Sequence, residues 1–126
     1  MAGRLQLPSG PTDTRSMSES ESDRPIHSAL DDDPGASESV DAFVFGLAER
    51  VDALQDAEAR GDLRELRSLV LELGEESLAA GYAPLQRSAE EVARAAGQGH
   101  AELAYKALVE FTDVARRVRQ GHRGSL

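Results

Sequence analysis

Four stretches of helical apolar period, parted by glycine, constrain this chain more than any other feature of its sequence. Val40, Phe43, Val44, Leu47, Val51 and Leu54 fall at i, i+3, i+4, i+7, i+11 and i+14, one stripe of an amphipathic helix. Gly61 then offers the left-handed residue that ends helices, and Asp62 with Glu65 three places on reads as an N-cap and capping-box acid. The second stripe is Leu63, Leu66, Leu69, Val70 and Leu73, stopping at Gly81. Pro84 suits the first turn of a third helix, with Leu85, Ala89, Val92 and Ala96 inward. Gly97–Gln98–Gly99 breaks the chain again. A last helix is expected from about Ala101 to Gln120, with Ala104, Ala107, Leu108, Phe111, Val114 and Val118 inward. Short loops between amphipathic helices favour antiparallel neighbours, so the expected fold is all-α: an antiparallel up-down-up-down four-helix bundle.

Composition narrows the function. The chain has 126 residues, room for one small domain. Aromatic residues are 4% and Trp is absent, so the core has to be aliphatic. With zero Cys there is no disulfide, thiolate metal site or Cys nucleophile. A net charge of −9 argues against a nucleic-acid partner, which would call for a basic face. No uncharged stretch approaches the roughly 20 apolar residues of a membrane helix. Met1 to Pro11 lacks the apolar run of a secretory signal, so a cytoplasmic protein is expected; Met17 is a second candidate start.

Four of five Pro residues precede residue 37 and every aromatic follows it. Residues 1–36 are therefore expected to be mostly disordered, with Ile26 and Leu30 available to dock locally. The bundle is expected over 37–121, with a short tail at 122–126. Asp31–Asp32–Asp33 lacks the alternation of a calcium loop and reads as a solvated acidic turn.

The second helix holds the candidate binding residues. With the centre of its Leu66/Leu69/Val70/Leu73 stripe at zero, Gly74 falls about 80° away, Arg67 about 100°, Leu78 about 120° and Leu71 about 140°. Leu71 and Leu78 should then be exposed opposite the core, with Gly74 between them and Arg67 and Glu75 at the rim. This predicts a small apolar partner surface made of Arg67, Leu71, Gly74, Glu75 and Leu78.

From about residue 25 to 120 the chain resembles the bacterial histidine-phosphotransfer domain, a four-helix module of multistep phosphorelays. The resemblance rests on Ala59–Arg60–Gly61–Asp62, on Leu66–Arg67 to Leu73–Gly74–Glu75–Glu76, on Ala80–Gly81–Tyr82–Ala83–Pro84–Leu85, and on the lead-in Pro25–Ile26–His27–Ser28 to Asp32–Asp33–Pro34. It implies a receiver domain or histidine kinase as partner, and it places Leu71 where the family has its phosphoaccepting His. Gly74 stands at the family's Lys and Glu75 at its Gly. A Leu offers no nitrogen to a phosphoryl group, and Glu75 and Glu76 repel one. The expectation is thus a non-catalytic member: no catalytic residue, no cofactor, no metal.

Two other readings remain open in the residues. A helical scaffold could self-associate as a homodimer through Leu71, Leu78 and off-stripe Phe45. Phosphotransfer could also run through a noncanonical His such as His100, although His27, His100 and His122 are scattered and form no metal-binding or catalytic constellation.

Overall fold

A computed structural model describes residues 24–124, with side chains to His122. It is all-helical: α1 spans Ser37–Ala59, α2 Leu63–Ala79, α3 Ala83–Gly97 and α4 Ala101–Gly124, after a single 3-10 turn at Pro34–Ala36. There is no strand among the described residues. Each helix packs on its chain neighbour and α1 returns against α4, a bundle-like closure in which the α2–α3 and α3–α4 seams are the most extensive.

Three loops of one design join the helices. Each has three residues, and the middle one is Gly61, Gly81 or Gly99, at φ of 73°, 89° and 71°. In the first, the Asp62 N–H donates to the Ala57 carbonyl and the Gly61 N–H to Glu58; the pairs Tyr82–Ser77 with Gly81–Leu78, and His100–Ala95 with Gly99–Ala96, repeat it. This is the Schellman arrangement, which satisfies the last carbonyls of a helix and requires a left-handed residue. Asp62 serves twice, since its carboxylate also accepts the Glu65 N–H and caps α2.

The core is aliphatic as composition demands. Leu47, Leu54, Leu66, Leu73, Leu85 and Phe111 are among its largest fully buried side chains. Phe43 is only half-buried, and stacks on Tyr82 with ring centroids 5.8 Å apart. Tyr82 is buried in the α2–α3 loop, and burial, followed by the charges of Asp31 and Asp41, pushes its phenol up to about 12.

The boundaries move outward at both ends. Residues 24–36, expected within a disordered tail, lie on the bundle: the Ile26 N–H donates to Arg117, the Ala29 N–H to Gly81, and Ser28 Oγ to the Ala80 carbonyl at 2.6 Å. Ile26 and Leu30 dock as expected. A Cβ on Gly81 would collide with Ser28 Oγ, and one on Gly121 with the Ile26 backbone, so these glycines mark the crossing points. At the other terminus α4 continues to Gly124. His122, expected in a tail, is instead inside α4 and 3.1 Å from Asp41. Residues 1–23, the rest of the expected tail, lie outside the described residues.

Gly74 corrects the reading of α2. It is buried, not at the surface, and a Cβ there would meet Ala89 Cβ at 3.0 Å. The buried set is Leu66, Val70, Leu73, Gly74 and Ser77, while Leu69 is only partly buried. The inward face is therefore turned about 30° from the centre of the leucine stripe, towards α3.

Two glycines in helices should respond in opposite ways. Gly46→Ala adds a methyl where nothing lies within 4 Å, and should raise stability by about 0.5–1 kcal/mol through helix propensity. Gly74→Ala should lower it by about 1–3 kcal/mol, because α2 and α3 must part. Urea denaturation of the two variants checks both signs.

Tyr82 generates a pH prediction. Its proton is held more tightly in the fold than in the unfolded chain, so its contribution is complete below the ordinary tyrosine value of about 10. That contribution disappears as pH rises through the folded value of about 12. Tyr82→Phe should remove this alkaline loss of stability, and tyrosinate absorbance in a Tyr105→Phe background should report the late titration.

Candidate functional site

Leu71 and Leu78 are exposed, at 37% and 54%, and Arg67 and Glu75 are exposed beside them. Four of the five expected partner-binding residues thus reach the surface of α2. Gly74 does not. Because α2 is rolled towards α3, Leu71 sits on the flank that faces α3 and not on the side opposite the core.

There it lines a groove of about 810 Å³ whose far wall is α3 and the loop into α4. Arg64, Arg67 and Leu71 form the α2 side; Ala93, Arg94 and Gly97 form the other. Arg67 reaches across the groove to Gly97, where an added Cβ would lie 3.1 Å from Arg67 Nε, a contact that the flexible side chain relieves by a small shift.

The charges on α2 are segregated along its length. Towards the C-terminal half, Glu76 takes two hydrogen bonds from Arg50 of α1, at 2.6 and 3.1 Å. These hold the Glu76 carboxyl below the ordinary carboxylate range and raise Arg50. Glu72 and Glu75 flank this pair, both exposed. Towards the N-terminal half the sign reverses. Arg64 and Arg67 have no carboxylate partner among the described residues, whereas Arg60 reaches Glu65 at 3.7 Å and Arg94 reaches Glu91 at 2.8 Å. Glu90, the carboxylate that also lines the groove, accepts from Gln86 Nε2 at 2.6 Å. The groove thus presents the cations Arg64, Arg67 and Arg94, the Glu90 carboxylate and the apolar side chain of Leu71.

The histidines stand apart from this groove. His100 is exposed at the start of α4, where its carbonyl accepts the Ala104 N–H. His27 lies 3.7 Å from Asp31, and His122 touches the ring of Phe45 edge-on. Among the described residues no group of three or more His, Asp or Glu side chains is arranged to hold a metal ion.

Sequence reasoning named Arg67 and Leu71 on the α2 side of the groove and missed Arg64 and the whole α3 side. Arg94 and Gly97 carry no partner-surface signal of their own; they matter because the α2–α3 seam brings them opposite Arg67 and Leu71. No helix of the described residues is long and apolar enough to cross a membrane. Compared with family models, with curated proteins and with solved structures, the chain finds no match in any of the three.

The Arg50–Glu76 pair sets a mild acid limb. The Glu76 value is lowered in the fold, so its contribution is complete above about 4.3. It is lost as pH falls through the lowered folded value. Both side chains are partly exposed, so the pair contributes under about 1 kcal/mol. Glu76→Gln should lose that amount at neutral pH and none below the lowered value, measured as unfolding free energy against pH.

Proposed function

We propose that this chain is a non-catalytic histidine-phosphotransfer-like domain of bacterial phosphorelay signalling. On this reading the bundle has antiparallel up-down-up-down topology, acts in the cytoplasm, and binds a receiver domain or histidine kinase through α2 without accepting phosphate. The observation that carries the reading is Leu71, exposed mid-way along α2 at the position the resemblance gives to the phosphoacceptor. Support also comes from the Gly61–Asp62 cap, from the Ala80–Gly81–Tyr82 loop, and from a lead-in that packs where Pro25–Ile26–His27–Ser28 suggested one. The surface-lining residues are Arg67, Leu71, Glu75 and Leu78; buried Gly74 serves by seating α2 on α3.

A second reading, self-association without a phosphorelay role, has one observation in its favour. Tyr105 and Val109, four residues apart on the outer face of α4, are both exposed, as is Phe45 at 80%. Phosphotransfer through His100 draws less support, because no acid or base partner lies beside that imidazole among the described residues.

The test is Leu71→Asp. It should reduce binding to the cognate receiver or kinase by tenfold or more, about 1.4 kcal/mol, while unfolding free energy changes by less than about 1 kcal/mol. Retained binding would remove Leu71 from the interface. Sedimentation of the parent chain over a wide concentration range separates the second reading, which requires a concentration-dependent dimer.

A further inference from the structure

We infer that the α2–α3 groove is the charge-reading half of the interaction surface, and that it takes a partner protein presenting carboxylates opposite Arg64 and Arg67. The inference rests on the proposed function in one respect, that a protein docks on α2. Its own ground is the distribution of charge. In a chain with 14 basic and 23 acidic residues, cations are scarce. Arg50, Arg60, Arg94 and Arg116 are each paired with a carboxylate. Arg64 and Arg67 have no such partner among the described residues, as is also true of Arg87 and Lys106, but these two line one groove beside the exposed Leu71. Arg67 reaches across it to Gly97 on the opposite wall. Arg94 stands on the opposite wall, already shared with Glu91.

The neighbouring surface sharpens the match. Leu71 is the apolar centre, Arg64 and Arg67 lie on its N-terminal side, and Glu72 and Glu75 lie on its C-terminal side. A partner with an apolar contact for Leu71 and carboxylates over the groove gains in one orientation. Reversed, it meets Glu75 with its own acids, so the pattern fixes polarity as well as affinity.

The experiment uses the full isotope-labelled chain. It is titrated with a short Glu/Leu-rich helical peptide, with a Lys/Leu-rich counterpart of equal length, with inorganic phosphate, and with receiver domains from the same genome. The expected result is that the acidic peptide shifts the amides of Arg64 to Leu71 and of Gly97 and Gly99. Its affinity should fall on raising salt, and should fall about tenfold or more in an Arg64→Gln/Arg67→Gln variant. Equal binding by the basic peptide, or an unaffected double variant, overturns the inference. So do shifts confined to the Arg116–Arg119 end of α4. Phosphate alone giving the same shifts at the same concentrations would make this a small-anion site, and shifts that grow with the chain's own concentration would make the occupant a second copy; either overturns it. The two proposals separate cleanly. Receivers that bind through Leu71 with no loss in the double variant sink this inference and keep the phosphorelay reading. Acidic-peptide binding with no receiver binding does the reverse.

Discussion

Where α2 crosses α3, Gly74 meets the methyl of Ala89 with no side chain of its own, and the placement of the surface depends on that contact. Packing at this distance leaves α2 one rotational setting about its axis. In that setting Ser77 turns in and back-bonds to the Leu73 carbonyl at 2.7 Å, and Leu69 turns partly out towards α1. Leu71 is carried to the α3 flank, beside Arg94 and Gly97. Had α2 settled on the centre of its leucines, Leu71 would stand away from every other helix. The groove would then have a single wall.

The other end of the bundle is fixed by backbone more than by side chains. The lead-in from Arg24 to Leu30 crosses from the last turns of α4 to the α2–α3 loop, and its principal ties are main-chain hydrogen bonds from Ile26 and Ala29. Gly121 and Gly81 let that strand of chain approach. Tyr82, buried beneath it and stacked on Phe43, closes this end against water. The groove lies at the opposite end, near the α3–α4 loop, so the lead-in stabilises the bundle without covering the candidate surface.

The helices and their stops were legible because each rests on a strong local rule: a 3.6-residue period, a glycine where φ must be positive, an Asp that caps. The roll of α2 was not legible. Hydrophobic pattern weights a helix face by its large apolar residues, whereas the tightest packing here is made by Gly74 and Ser77, which carry almost no hydrophobic signal. The lead-in was legible only in part, for a related reason: Ile26 and Leu30 stood out as docking residues, but the ordering of the segment around them did not. Composition shows whether a segment can bury apolar area, and says nothing of main-chain donors that find carbonyls at Gly81 and Arg117. Gly121, a helix-weakening residue retained inside α4, was a further sign, and beside Gly124 it reads equally well as a helix end. On the surface, Leu71, Leu78 and Arg67 followed from helical geometry. The opposite wall did not, because Arg94 and Gly97 become part of a site only once α3 is docked.

The seating of α2 bears on recognition through rigidity. A binding surface on a loop loses conformational freedom when a partner arrives, and that cost is subtracted from affinity. The flank carrying Arg67, Leu71 and Leu78 is held in the free protein by Leu66, Val70, Leu73 and Gly74 packed directly behind it. Only the exposed side chains remain to be ordered. A leucine at the centre of such a surface gains by being dried, and unpaired arginines at one side gain by meeting carboxylates. Neither gain requires a reaction. On the proposed reading, a fold that seats α2 this firmly supplies what docking needs without a nucleophile at position 71.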